Sequence, residues 1–252
     1  MPKHNPHRFR LARATELETL ARILERSEVC YDCSPLRQAA NECRQESKDR
    51  WRYSLERLIF RIRDTKNTIP PRVYDVTLDL SIALMGHCSE EGEIRDPLDS
   101  LEFNMVITGK HDKDGETRSV ICSWHLDRDL PPASDGGHEF IHPVYHFQHG
   151  GRNIWGLEND FGDSLILESP RIAHPPMDAI LGIDFVLTNY VKSADLTFRQ
   201  ENDYKNLLRS AQEIMWRPYA RALVFAWGPV PIESEWPFVL PWPQLVDRVE
   251  PN

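Results

Sequence analysis

The chain has 252 residues, 40% apolar and 27% charged, which is enough to bury a core without disulfides or metal and too apolar for an intrinsically disordered chain. No run approaches the ~18 apolar residues of a membrane span, and the N-terminus "MPKHNPHRFRLARATELE" lacks the apolar centre of a secretory signal. The net charge of −9 divides unevenly: residues 1–70 hold fifteen Lys/Arg against ten Asp/Glu, and the remainder holds fifteen against twenty-nine.

A basic segment ahead of an acidic body suits either contact between the two or an acidic partner such as nucleic acid. The five cysteines are scattered and odd in number. Without a signal peptide, they point to a cytoplasmic protein with free thiols.

Residues 1–70 are expected to form a basic helical hairpin. Leu11, Leu17, Leu20 and Leu24 recur at helical spacing. Ser34 and Pro35 then open a second predicted helix, along which Trp51, Leu55, Leu58, Ile59 and Ile62 make an apolar stripe, and "NTIPPR" ends it. Cys30 and Cys33 form a CxxC near the hairpin's turn, with Cys43 ten residues on. A zinc knuckle is one reading, but no second CxxC supplies the remaining ligands; helix-end cysteines are the other.

The core is expected over 71–228. "VYDVTLDLSIAL" alternates, with Tyr74, Val76, Leu78, Leu80, Ile82 and Leu84 on one face. "LEFNMVITG" and "RSVICSWHLD" are two more strands, separated by an Asp114-Gly115 hairpin signal. "FIHPVYHFQ" and "DSLILES" are short strands, the first held to a sheet edge by Pro143. "MDAILGIDFVLTNYVKSA" is an apolar helix with Asp178 near its positive end. A second helix over "ENDYKNLLRSAQEIMWRPYARALVFAW" is expected to break near Pro218. Residues 229–252 form a Pro- and aromatic-rich tail expected to pack on the core. The predicted fold class is α+β: helical hairpin, antiparallel meander of four to five strands, then helices on one face.

"HEFIHPVYHFQHGG" places His138, His142, His146 and His149 in twelve residues. On one straight strand, His142 and His146 stand about 13 Å apart at roughly 3.3 Å per residue. They cannot share an ion that way, because metal–ligand distances are near 2 Å. A metal site over His138, His142, His146 and Asp160 therefore needs a turn or ligands from elsewhere, among them His125, Asp163 and His174. A lone His142 or His146 is also suited to general-base work near pH 7, and histidines bonded to backbone are the structural reading. Asp184 sits inside the apolar run "ILGIDFVL", so it needs a partner; His146, His174 and Arg171 are candidates, and catalysis is the alternative role. The acidic loop with Glu158, Asp160 and Asp163 lacks EF-hand spacing and reads as a solvated turn. No phosphate-binding Gly loop, GxSxG elbow or HExxH is present.

Residues 101–191 resemble the ubiquitin-conjugating (E2) fold and its inactive variants. The likeness lies in "LEFNMVITGKHDKDGETRSVICSWHLDRDLPP", in the His142-Pro143 dipeptide of "IHPVYH", and in the helix "PPMDAILGIDFVLTN". Val144 stands where that family has asparagine, and no cysteine follows Pro143. The resemblance therefore implies a non-catalytic or weakly catalytic subunit of a bacterial ubiquitin-like conjugation or phage-defence system. Such an adaptor needs no cofactor and binds protein partners through the N-terminal helices or the C-terminal tail. The alternative is a hydrolase or nuclease using a divalent metal such as zinc, and a third reading is nucleic-acid binding by the basic N-terminal segment. None involves a membrane.

Overall fold

The computed structural model describes residues 5–30, 32–45, 49–63, 68–88, 96–129, 143–150 and 171–226, with 224–226 described by backbone alone. Helix α1, Pro6–Arg26, begins where the Asn5 side chain accepts a bond from the Arg8 amide at 3.1 Å, with Pro6 in the first turn. Helix α2, Ser34–Gln45, starts at the expected Ser34-Pro35. The Asp32 carboxylate accepts from the Ser34 amide, and the Cys33 carbonyl accepts from the Leu36 and Arg37 amides.

The second predicted helix ends there. Residues Arg50–Arg61 are strand β1, not helix. Trp51, Tyr53 and Leu55 point into the core, and so do Leu58 and Phe60. Between the two sets the register with the next strand slips, and Arg57 takes φ 55°. This β-bulge shifts the inward positions from odd to even numbers. Leu55 and Leu58 thus stand three apart, which imitates a helical repeat.

Strands β2 (Tyr74–His87), β3 (Leu98–Lys113), β4 (Glu116–Arg128), β5 (Tyr145–His149) and β6 (Ile172–Ala173) complete a six-stranded sheet in the order β1-β2-β3-β4-β5-β6. Every neighbouring pair is antiparallel. The meander expected of four to five strands is thus extended by β1 at one edge. Asp114 and Gly115 both have positive φ, 56° and 83°, as a two-residue hairpin between β3 and β4 requires.

Helix α3, Ala179–Tyr190, is capped by Asp178, whose side chain accepts from the Leu181 amide at 3.0 Å. Helix α4, Asn202–Ala226, continues through Pro218 rather than breaking there. A proline removes one i→i−4 bond, and packing on both sides of it carries the helix on: Met215 is buried and the Tyr219 ring meets that of Tyr145 at 6.3 Å.

The helices cover one face of the sheet. Phe9 of α1 meets Trp51 edge-on at 5.6 Å, and Phe185 of α3 meets Phe147 at 5.3 Å. Tyr53 accepts a 2.8 Å bond from the Ala179 amide, tying β1 to the start of α3. Buried Leu78, Leu80, Ile82, Phe103, Met105 and Leu126 line this face. The opposite face carries the alternate residues: Ser81, Asn104, His125 and Gln148 in one row, Glu102, Asp127 and His146 in the next. Among the described residues no helix is long and apolar enough to cross a membrane. The tail at 229–252, the "DSLILES" segment, and His138, His142, Glu158, Asp160 and Asp163 lie outside the described residues.

Candidate metal centre

The site is built by two adjacent strands. His125 and Asp127 are two apart on β4, so both side chains leave the same face of the sheet. Asp127 stands directly opposite His146 of β5, and His125 opposite Gln148. One nitrogen from each imidazole and one oxygen of Asp127 lie within 4.8 Å of one another. It is the one such three-residue donor group among the described residues.

The imidazoles are oriented by their neighbours. His146 is buried, and its Nδ1 lies 3.1 Å from the Pro143 carbonyl oxygen. A carbonyl only accepts, so Nδ1 carries the hydrogen of this bond. His125 Nε2 is 3.7 Å from Asp127 Oδ2, too far for a hydrogen bond. The two rings meet edge-on with centroids 6.2 Å apart. Burial pushes the His125 pKa below its usual value; a bond to the Gln148 side chain opposes this, and the positive charge of Arg171 adds to it. The shift favours the neutral imidazole.

Donor atoms around one zinc-like ion, each at about 2.0–2.2 Å, stand roughly 3–3.5 Å apart. The observed donors lie within 4.8 Å, with His125 Nε2 and Asp127 Oδ2 at 3.7 Å. Two histidines and one carboxylate suit zinc, and also iron in its 2-His-1-carboxylate form. The hydrogen bonds from His146 to the Pro143 carbonyl and between His125 and Gln148 are of the outer-shell kind that orients metal-bound histidines.

Of the residues singled out from the sequence, His146 and the reserve candidate His125 come together here. Asp127 escaped notice, although the alternation that turned Trp124 and Leu126 inward also turned His125 and Asp127 outward together. His149 goes to the other face, where its Nε2 lies 3.6 Å from Cys122 Sγ and its ring meets Trp124. His174 bonds the Pro175 carbonyl through Nδ1 at 2.6 Å and packs on Phe147 and Phe185; burial lowers its pKa. Asp184 bonds Arg199 and Tyr204 rather than His146, His174 or Arg171.

The cysteines do not assemble a knuckle. Cys30 and Cys33 are both buried, and the Cys30 thiol donates to the Asp32 and Ile59 carbonyls at 3.4 and 3.5 Å. Cys43 instead donates to the Arg10 carbonyl at 3.7 Å, and burial pushes its pKa up to about 12. No donor group of three among the described residues includes any of them.

Compared with protein-family models, with curated proteins and with solved structures, the chain matches none, so its chemistry is read from these residues.

Proposed function

We propose that the chain holds a divalent metal ion at His125, Asp127 and His146 and uses it for hydrolytic chemistry. The observation that carries this is the convergence of three donor atoms of metal-binding type within 4.8 Å on two neighbouring strands. Among the described residues the site has three ligands, the number that protein side chains supply in catalytic zinc sites. A metal in such a site lowers the pKa of a bound water to about 7 and so supplies a nucleophile at neutral pH. The strands fix the ligands: β4 and β5 are hydrogen-bonded neighbours, and His146 is held by the Pro143 carbonyl.

The test is elemental analysis of purified protein, wild type beside His125→Ala/His146→Ala. The expected result is about one zinc, manganese or iron per chain in the wild type and none in the double variant. Wild-type protein that stays metal-free after incubation with zinc, manganese and iron salts would sink the proposal.

A second reading, a non-catalytic E2-like adaptor, is supported by the helix–meander–helix order and by the position of all five cysteines ahead of Pro143. It calls for a stable protein partner in pull-downs and for no metal.

A further inference from the structure

Strands β4 and β5 carry a second pair of reactive side chains, on the face of the sheet opposite the metal centre. Cys122 and Trp124 of β4 share the helix side, and His149 of β5 stands opposite Trp124. His149 Nε2 lies 3.6 Å from Cys122 Sγ, within the range of a hydrogen bond to sulfur. The neighbours fix this geometry. The His149 ring meets Trp124 edge-on with centroids 4.9 Å apart, and the next amide, that of Gly150, donates to the Ser123 carbonyl at 2.8 Å.

Access separates this thiol from the other four. Cys30, Cys33, Cys43 and Cys88 are buried, whereas Cys122 is partly open. Along β4 the residues Glu116–Ser119 are exposed and Leu126 is buried, so Cys122 stands where the strand leaves its hairpin end and enters the core. Burial raises the Cys122 pKa above its ordinary 9.0, with Trp124 opposing the rise, so at neutral pH the sulfur keeps its proton. A protonated thiol is a poor nucleophile until a neighbouring base takes the hydrogen. The imidazole nitrogen at 3.6 Å is placed to take it.

The surroundings limit what reacts there. The sulfur is only partly open, an indole stands two residues along the strand, and Tyr190 of α3 is near enough for charge on Cys122 to act on its phenol. A small uncharged electrophile suits such a position better than a bulky or charged one, and hydroperoxides are of this kind. Their cleavage also calls for a proton on the departing oxygen, which a protonated imidazole supplies.

We propose that Cys122 is a peroxide-reactive thiol and that His149 carries its proton. His149 Nε2 takes the thiol hydrogen, the sulfur attacks one peroxide oxygen, and the O–O bond breaks. The departing oxygen takes the hydrogen back from Nε2. Thiol and hydrogen peroxide become sulfenic acid and water, the sulfur being oxidised and the peroxide reduced. The other four thiols are buried, so the sulfenic acid stays open to a trapping reagent.

The experiment treats the full chain with hydrogen peroxide and dimedone, which captures sulfenic acid, and follows each cysteine by peptide mass spectrometry. A chelator in the buffer keeps free metal from decomposing the peroxide. Folded wild type is compared with wild type unfolded in urea and with His149→Phe, which keeps a ring against Trp124 but offers no base. Circular dichroism checks that the variant is folded. Cys122 is expected to react ahead of the other cysteines and faster in the folded chain than in the unfolded one. In His149→Phe its rate should fall by about 100-fold, the lower end of what a positioned acid–base group contributes. A folded chain whose Cys122 reacts no faster than in urea, or as fast in folded His149→Phe as in wild type, overturns the proposal. Should His149→Phe fail to fold, the comparison of folded with unfolded wild type decides alone.

Discussion

Arg199 reaches both carboxylate oxygens of Asp184, at 3.0 and 3.1 Å, and Tyr204 donates a third bond at 2.8 Å. This pins the middle of α3 to the chain leading into α4 and satisfies an acid that would otherwise be costly in an apolar helix. The sequence left Asp184 between a buried hydrogen-bonded pair and a catalytic acid, and Arg199 and Tyr204 are partners of the kind the first reading asks for. Asp184→Asn is expected to lower stability by about 1–3 kcal/mol, because Arg199 loses a charged acceptor while half-buried. Metal content should not change. Urea unfolding and elemental analysis of the same preparation check both halves.

Glu16 is the acid whose ionisation should be visible in stability. It lies where α1, α3 and α4 meet, facing Arg13 at 2.6 Å, Ser210 of α4 and the carboxyl of Asp178. Burial outweighs the Arg13 charge and pushes its pKa from 4.5 up to about 7. Between those values the folded chain keeps a proton that the unfolded chain releases. The stability from this source is therefore full below about pH 4.5 and is lost as pH rises through about 7. The span corresponds to on the order of 3 kcal/mol. Asp96 and Asp178 are also raised by burial and act with the same sign. Urea midpoints should fall from pH 5 to pH 8 in the wild type and fall distinctly less in Glu16→Gln. Equal slopes would show that Glu16 ionises in the folded state as it does in water.

Gly182 sets how closely α3 lies on the sheet. A methyl group added there would meet Phe103 Cε2 at 2.7 Å and Ile82 Cδ1 at 3.1 Å. Alanine normally favours a helix over glycine by about 1 kcal/mol. Here the clash should win, because overpacking a filled core costs about 1–3 kcal/mol. Gly182→Ala is expected to lower the thermal midpoint, and a rise would mean that the interface has slack.

The central strands were legible because their alternation is unbroken: Leu78, Leu80 and Ile82 in β2, Trp124 and Leu126 in β4. Helix α3 was legible from its apolar run and from Asp178 at its start. Strand β1 was not, because the bulge at Arg57 turned a two-residue repeat into one that matched a helix at Trp51, Leu55, Leu58 and Ile62. At the candidate site, His146 stood out in a histidine-rich stretch. The geometry of one strand already showed that it could not share an ion with His142 there, so ligands had to come from elsewhere. Which strand supplied them depended on pairing across residues 129–144, and periodicity within a strand carries no information about its neighbour's register.

The bulge also bears on how the molecule behaves toward copies of itself. β1 is the outer strand of the sheet, and a flat outer strand offers an unfilled ladder on which another chain can dock and begin a fibre. At Arg57 the strand is irregular, with positive φ and its amide turned to Ser81 Oγ of β2 at 3.1 Å, and Phe60 is bridged on the outer side by Cys30. Exposed Arg50, Arg52, Arg57 and Arg61 stand along the same strand, Arg57 paired with Asp79 and Arg50 beside Asp99, and such charged side chains discourage strand docking. The irregularity that disguised this strand as a helix thus also guards it against self-association.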